Sequence, residues 1–236
     1  MKRVSPDTVA ATLDIFLQTP NLNRLIFDRL RPWCGQRVVE VGAGLGTITE
    51  LLLDRELIVA TEVEPTFLRK LRARFAGRAN VLVEGLDLEA VDVDALRAHR
   101  LDTIVCVNVL EHVDNDRDAL TRLSQSLQPG GRLLLYVPAL PWLFGTLDRG
   151  LQHHRRYARR ALEDLLTATG WRVLHQSWMN MLGIPGWFLN SRVLRRRILP
   201  AMQVAAYDKL TPLLRIENRL RPPIGMSLVV VCERTG

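Results

Sequence analysis

The stretch VVEVGAGLGTITELLL, at residues 38–53, constrains the fold of this chain more than any other. An apolar run passes through one glutamate, Glu40, and enters the glycine loop Gly42-Ala43-Gly44-Leu45-Gly46. A short apolar run that ends in glycines is typical of a buried strand followed by a tight turn, where backbone approaches a ligand closely. We therefore expect a buried sheet with a binding site at the end of this strand.

The glycine spacing differs from the dinucleotide-binding pattern G-x-G-x-x-G. The third glycine, Gly46, comes one residue early, and Thr47 stands where that glycine is expected. A pyrophosphate beside Glu40 would be repelled because both are negative, whereas a positively charged ligand would be attracted. S-adenosylmethionine (SAM) carries a sulfonium and an ammonium and no phosphate, so the loop favours SAM over a nicotinamide dinucleotide.

Acidic residues also follow the next two predicted strands. Glu62 ends the strand predicted at 57–61, the next one after the glycine loop, where a carboxylate can accept both ribose hydroxyls. Glu64 is its rival on the same side of the strand. Asp87 follows a third strand at 80–83 and is placed to accept a hydrogen bond from the adenine amino group.

The 236 residues suffice for one domain with a single large core. Strands and helices alternate over residues 35–140, with the first of these helices predicted at 47–53. This alternation predicts crossover connections and a parallel sheet buried on both faces. We divide the chain into an N-terminal helical cap (1–34), a SAM-binding core (35–140) and an acceptor-side region (141–236). The cap contains two amphipathic helices, the first starting at Ser5-Pro6. A helical insertion at 180–224 separates the last two predicted strands, 171–178 and 226–233.

Four segments together resemble the class I SAM-dependent methyltransferases. They are VVEVGAGLGTIT, IVATEVEP, RLDTIVCVNVLEHVDN and LQPGGRLLLYVP. The resemblance implies a Rossmann-like α/β fold with a seven-stranded, mostly parallel sheet in the order 3-2-1-4-5-7-6, sandwiched by helices. It also implies a cofactor site, formed by Glu40, Gly42, Ala43, Gly44, Gly46, Thr47, Glu62, Val63, Asp87, Leu88, Asn108, Val109 and Leu110. The segment LDRGLQHHRRYARRALEDLLTATGW resembles a bacterial subgroup linked to glycan or lipid-linked sugar assembly.

Methyl transfer to a hydroxyl benefits from a base near neutral pKa, which favours histidine. His112 follows the fourth strand on the cofactor side, either as base or orienting group or as a structural histidine bridging loop backbone. His153, Arg156 and Tyr157 either line the acceptor pocket or belong to a surface where arginines pair with acids such as Asp148. We expect no metal, because adjacent histidines such as His153 and His154 face different ways.

The net charge of +7 is concentrated in the predicted insertion. Residues 180–224 contain eight basic and two acidic residues, so the rest of the chain is near neutral. The segment meets anionic lipid or an acidic substrate, or is a solvated surface without a partner. We expect a cytoplasmic enzyme, with peripheral contact to the inner membrane face through this segment, acting on a small-molecule or lipid-linked acceptor.

Two rival functions remain open. An RNA methyltransferase fits the basic charge, but Asn108-Val109-Leu110-Glu111 lacks the proline and aromatic residues of the Asn/Asp-Pro-Pro-Tyr-like stretch that holds a base. We therefore do not expect nucleic acid as the partner. A non-catalytic SAM-binding protein is the second rival, although acids at every cofactor position argue against a scaffold.

Overall fold

The computed structural model describes residues 19–220 and 222–235, without the side chains of 218–220. Seven strands form one sheet in the order β3-β2-β1-β4-β5-β7-β6, which confirms the predicted topology. The strands are β1 Arg37–Val41, β2 Leu57–Glu62, β3 Val81–Gly85, β4 Thr103–Val107, β5 Arg132–Pro138, β6 Trp171–Met179 and β7 Ser227–Arg234. Strands β1 to β5 are parallel, and β7 lies antiparallel between β5 and β6.

Helices cover both faces of this sheet. They are α1 Pro20–Leu30, α2 Pro65–Arg74, α3 Val93–Ala98, α4 Asp116–Ser126, α5 Thr146–Gly150, α6 Arg159–Thr167, α7 Gly183–Phe188, α8 Ala201–Lys209 and α9 Thr211–Leu220. Helix α1 is the second of the two predicted N-terminal helices, whereas the first lies outside the described residues. Helices α7 to α9 form the insertion predicted between the last two strands.

The central strands are mostly apolar because both faces of the sheet are covered there, whereas the edge strands β3 and β6 are partly exposed. In β4, Ile104 and Cys106 pack into one apolar layer while Val105 packs into the other, and all three are fully buried. Alternation along a strand produces this division, since successive side chains point to opposite faces. Cys106 is therefore a core residue, as its position inside an apolar strand predicts.

The segment after the glycine loop differs from the prediction. A helix at 47–53 was expected, but the chain forms turns followed by a single 3₁₀ turn, Thr49–Leu52. Thr47, Ile48 and Thr49 are all β-branched, and such residues have low helix propensity. The Thr49 hydroxyl also donates a hydrogen bond to Glu40, 2.5 Å away, which fixes this turn against β1.

Two buried carboxylates of the insertion bind backbone N–H groups of other segments. Asp208 accepts from the N–H of Leu22 at 2.9 Å and from that of Asn21 at 3.3 Å, in the first turn of α1. Glu217 accepts from the N–H of Met181 at 2.8 Å. The Thr19 side chain makes no capping hydrogen bond to α1, so Asp208 satisfies these N–H groups from another part of the chain.

We predict that Asp208→Asn lowers the free energy of unfolding by about 1–2 kcal/mol, because a charged acceptor at a helix N-terminus becomes neutral. Urea denaturation measures the change. Asp94→Asn is the control, since the Asp94 side chain is 91% exposed. A loss at position 208 no larger than that of the control would contradict a capping role.

Candidate active site

A cavity of about 410 Å³ lies at the carboxyl ends of β1, β2 and β4. In an open parallel sheet, ligands bind at this edge where the strand order reverses, here between β1 and β4. Nine of the predicted cofactor residues line the cavity: Glu40, Gly42, Ala43, Gly44, Thr47, Glu62, Val63, Asn108 and Val109. These nine are about half of the 19 residues that line the cavity.

The other four predicted cofactor residues do not line this cavity. Leu88 and Leu110 are buried in the apolar core, 6% and 0% exposed. Asp87 follows β3 and accepts a hydrogen bond from the N–H of Glu89 at 2.9 Å, so its binding of adenine stays a prediction. Gly46 has a structural role, because a Cβ there would lie 2.3 Å from the Phe75 ring.

The glycine loop exposes backbone because side chains do not fit it. Gly42 and Gly46 have φ values of +66° and +81°, in the left-handed region that favours glycine. A Cβ on Gly42 would lie 2.6 Å from a methyl carbon of Val109, on the loop after β4. The backbone of β1 and the loop after β4 thus meet closely at the cavity wall.

Glu40 is a buried carboxylate without a cation. It is 4% exposed, and among the described residues no lysine or arginine forms an ion pair with it. Burial raises the pKa of Glu40 to about 8, although the hydrogen bond from Thr49 opposes the increase. This carboxylate lines the cavity, so a positively charged ligand bound there would stabilise its charge. The cationic cofactor SAM fits this requirement.

Glu62 holds the loop in shape. One carboxylate oxygen accepts from the N–H of Gly44 at 2.8 Å, and the other accepts from the N–H groups of Val63 and Glu64 at 2.8 and 3.0 Å. A carboxylate has about four acceptor sites, so one remains for a ribose hydroxyl. Its rival Glu64 caps α2 by accepting from the N–H of Phe67. The ribose contact of Glu62 stays a prediction.

A second cavity of about 260 Å³ lies beside the first. Asn108 and Leu151 line both cavities, so the two meet at these residues. Many of the other lining side chains are apolar, and some of these belong to α7, α8 and the chain between them. The large apolar residues include Leu22, Ile26, Leu147, Leu182, Trp187, Ile198, Leu199, Val204 and Met226.

A cluster of polar residues separates the two cavities. His112 is exposed and lines the first cavity, whereas His153 and Arg156 line the apolar one. The rings of His112 and His153 are nearly perpendicular, with centroids 4.9 Å apart. Desolvation by the surrounding protein, together with the neighbouring His153, lowers the pKa of His112 below its ordinary value.

Asp148 organises the acceptor side of this cluster and is fully buried. It accepts from Arg156 Nε at 2.6 Å and contacts His153 Nδ1 at 3.1 Å. Burial opposes the charge on Asp148, but the hydrogen bond from His153 and the guanidinium of Arg156 keep its pKa below the ordinary value. The guanidinium of Arg156 also lies 4.7 Å from the centroid of the Trp187 ring.

Tyr157 does not reach either cavity, which corrects its predicted place at the acceptor pocket. Its hydroxyl lies 2.9 Å from a carboxylate oxygen of Asp116 and 3.2 Å from the carbonyl of Leu110. The side chain packs in the core and is 6% exposed. The backbone brings His153 to the cavity wall and carries Tyr157 into the space between β5 and the turn after β4.

Glu111 and Asp148 are site residues that the sequence reasoning did not select. Glu111 was read only as part of the motif around His112, and Asp148 only as an ion-pair partner. A signal for Glu111 is its position between Leu110 and His112, soon after a buried strand. Asp148 meets His153 across a turn, and sequence spacing alone does not predict that contact.

Comparisons with known proteins find methyltransferases among the relatives of this chain. A family model described as a methyltransferase domain matches residues 39–133. The ubiquinone biosynthesis O-methyltransferase of Idiomarina loihiensis is 23% identical over 63% of this chain and 65% of its own length. The ornithine lipid N-methyltransferase of Singulisphaera acidiphila is 33% identical over 50% of this chain and 66% of its own length.

Other similarities are more local or show the fold alone. Ribosomal RNA small subunit methyltransferase A of Acidobacterium capsulatum is 40% identical over 34% of this chain and 29% of its own length. The chain thus spans less than two thirds of these curated relatives, and 3–6% of two polyketide synthases that it also matches. A SAM-dependent methyltransferase structure from Mesorhizobium loti has a TM-score of 0.57, with 15% identity, over 85% of this chain and 92% of that one.

The matched domain, the strand order and the uncompensated carboxylate at the glycine loop agree with one another. Residues 39–133 match a methyltransferase domain, and the chain has the fold of the SAM-dependent methyltransferases, for which SAM is the cofactor.

We predict that Glu40→Gln stabilises the cofactor-free protein and weakens SAM binding. The pKa of Glu40 is raised on folding, from 4.5 to about 8. Its contribution to stability is therefore most favourable below pH about 4.5 and is lost as the pH rises towards 8. Glutamine removes this loss, so the variant should be about 1–3 kcal/mol more stable at pH 8, and the difference should shrink towards pH 5.

Thermal melts from pH 5 to 8 measure the first effect, and calorimetric titration with SAM measures the second. We expect about 10- to 100-fold weaker SAM binding, since a hydrogen bond to a charged group contributes about 1.5–3 kcal/mol. Glu56→Gln is the control, because the Glu56 side chain is 63% exposed. Unchanged SAM affinity in Glu40→Gln would contradict the assigned role.

Proposed function

We propose that the protein transfers the methyl group of SAM to an oxygen or nitrogen atom of a small-molecule or lipid-linked glycan acceptor. The apolar second cavity, which meets the cofactor cavity at Asn108 and Leu151, is the observation that carries the proposal. An apolar cavity next to the reacting centre suits the hydrocarbon part of an amphiphilic acceptor. The polar cluster between the cavities suits its polar end.

The residues of this chain mainly orient and desolvate the reactants. SAM, when bound, supplies a methyl group already activated by the sulfonium. Glu40 balances positive charge at the loop, and the glycine backbone with Glu62, Asn108 and Val109 holds the cofactor. The apolar walls of the second cavity exclude water, which strengthens the polar contacts within it.

His112 and His153 serve in this proposal as groups that orient the acceptor. Both line a cavity wall, and their rings are in contact at the junction. The contact between the two rings and their place in the cavity walls support orientation as the role of His112. Arg156 lies in the same wall, where its buried guanidinium is paired with Asp148 and holds that residue in place beside His153.

The outer surface of the insertion is the part of the protein that we propose faces a membrane. It exposes several large apolar side chains, among them Phe188 (43%), Val193 (58%), Ile198 (51%) and Met202 (85%). Arg195 and Arg197 are exposed in the same stretch, and Arg197 also lines the second cavity. Exposed apolar groups next to arginines are typical of contact with an anionic lipid surface. Within the described residues, no helix has the length and hydropathy needed to cross a bilayer.

Relatives with lipid and quinone acceptors in their names support this class of acceptor. One relative is named as an ornithine lipid N-methyltransferase and another as a ubiquinone biosynthesis O-methyltransferase. The local similarity to the ribosomal RNA methyltransferase favours the RNA alternative instead. Against RNA stands the second cavity, because apolar walls do not complement a phosphate backbone.

Methyl-labelled SAM, incubated with fractionated host extract, tests the proposal. We expect label in the organic-solvent or small-molecule fraction. Label in ribonuclease-sensitive material would support the RNA alternative. SAM binding without label in any fraction would favour a non-catalytic protein.

We predict that Gly186→Leu reduces labelling at least about 10-fold without changing the SAM affinity, because it fills the acceptor cavity. Gly186 lines the second cavity, and a Cβ built there meets no atom within 4 Å. The variant is therefore expected to fold, which circular dichroism checks. Full labelling by a folded variant would contradict the assignment of this cavity to the acceptor.

We also predict that the protein binds vesicles containing phosphatidylglycerol and not neutral vesicles. Replacing Arg195 and Arg197 with serine should weaken binding about 10- to 30-fold, since each arginine contributes about 1 kcal/mol near an anionic surface. Vesicle flotation at low salt measures this, with Arg97→Ser as the control on another face. An absence of flotation with the wild-type protein at low salt would contradict the membrane contact.

A further inference from the structure

Three potential metal-ligand atoms lie together where the two cavities meet. Glu111, His112 and His153 each offer one such atom, and the three atoms lie within 4.8 Å of one another. Glu111 and His112 belong to the 3₁₀ turn that follows β4, and His153 belongs to the loop after α5. A backbone hydrogen bond of 2.8 Å, from the N–H of His154 to the carbonyl of Glu111, fixes the two segments together.

Glu111 has no partner for its carboxylate. The residue is 0% exposed, and among the described residues no donor reaches hydrogen-bonding geometry with either oxygen. His153 Nε2 lies 3.8 Å from one of these oxygens, which is too long for a hydrogen bond. A carboxylate buried in this way needs either a proton or a cation.

His153 is held in the tautomer that a metal ion requires. Its Nδ1 contacts Asp148 at 3.1 Å, and an ionised carboxylate only accepts hydrogen bonds, so Nδ1 carries the proton. In the neutral ring, Nε2 then has a free lone pair, and it faces Glu111. Histidines that bind metals commonly donate their other ring nitrogen to a carboxylate, which fixes the ring orientation. Asp148 is held in turn by Arg156 and by the N–H of Gly145.

We propose that Glu111, His112 and His153 bind one divalent transition-metal ion, of which Zn²⁺ is the representative, at the junction of the cofactor and acceptor cavities. Two imidazoles and one carboxylate suit zinc, manganese or iron better than calcium or magnesium, which prefer oxygen ligands. Three protein ligands leave at least one coordination position open. His112 lines the cofactor cavity and His153 the apolar one, so both cavities adjoin the proposed ion.

The prediction of no metal considered the pair His153 and His154. These two do diverge, since His154 Nδ1 lies 3.7 Å from exposed Asp114 while His153 faces inward. The partners of His153 come instead from the 3₁₀ turn after β4, much earlier in the chain.

The ion has a consequence for the acceptor, and this consequence rests on the proposed function. A metal-bound hydroxyl loses its proton to solvent near neutral pH. An oxygen lone pair then forms the bond to the methyl carbon, and the electron pair of the carbon–sulfur bond remains on sulfur. An ion at this junction thus favours an oxygen nucleophile over nitrogen, because amines need no such activation.

Metal binding is tested without turnover, using the full chain treated with a chelator and then titrated with Co²⁺ or Zn²⁺. We expect one ion per chain, visible Co²⁺ absorption bands, and displacement of Co²⁺ by Zn²⁺. Glu111→Gln and His112→Gln should each weaken binding by at least about 100-fold, more than the roughly 10- to 100-fold effect of an outer-shell change. His154→Gln is the matched control and should bind as the wild type does.

Circular dichroism and thermal melts check that each variant is folded. The two variants change different residues, so the test remains valid if one of them misfolds. A folded wild-type protein that binds neither ion would overturn the proposal. Equal binding by the wild type and both folded variants would also overturn it. Failure of the labelling experiment would leave this result unaffected, because metal binding is measured without an acceptor.

Discussion

The parallel pairing of β1 with both β2 and β4 is the constraint on which the site depends. It places the carboxyl ends of three strands at one edge, although β4 lies far from β1 and β2 in the sequence. Glu40, Glu62 and Asn108 therefore line one cavity. The strand order reverses at this point, so helices on the two faces leave a crevice open above it.

The buried carboxylates at this edge differ in how far the protein itself stabilises their charge. Glu62 accepts hydrogen bonds from three backbone N–H groups, and these donors stabilise its charge. Glu40 and Glu111 have too few donors for their charge, and burial raises the pKa of both to about 8. Each of these two lies where a positively charged partner is expected: SAM beside Glu40 and a metal ion beside Glu111. Uncompensated charge thus marks the two positions at which we propose that positively charged ligands bind.

The insertion between β6 and β7 covers the proposed acceptor cavity and also forms an exposed surface of the protein. Its buried acids Asp208 and Glu217 bind backbone groups of other segments, which holds its helices over the second cavity. Its outer side keeps arginines and large apolar side chains exposed. One segment therefore supplies a wall of the proposed acceptor cavity and the surface proposed to meet lipid.

Several features were predictable from sequence because they depend on local patterns. Strand and helix periodicity predicted the alternating fold, and the acids in β1 and at the end of β2 predicted the cofactor wall. The helix expected at 47–53 was wrong, because three β-branched residues and the hydrogen bond from Thr49 to Glu40 favour turns. Of the residues predicted to contact the acceptor, His153 lines a cavity. Tyr157 does not, because its hydroxyl is buried against Asp116.

The sequence by itself determined the class of fold, the glycine loop and the charge preference of the cofactor. These follow from short-range properties: apolar runs, glycine conformations and a carboxylate next to them. The tertiary structure alone decided which side chains surround the acceptor cavity and which carboxylates lack partners. Packing brings Glu111 beside His153, although α4 and β5 lie between them in the sequence. No local pattern encodes a contact between segments so far apart in the chain.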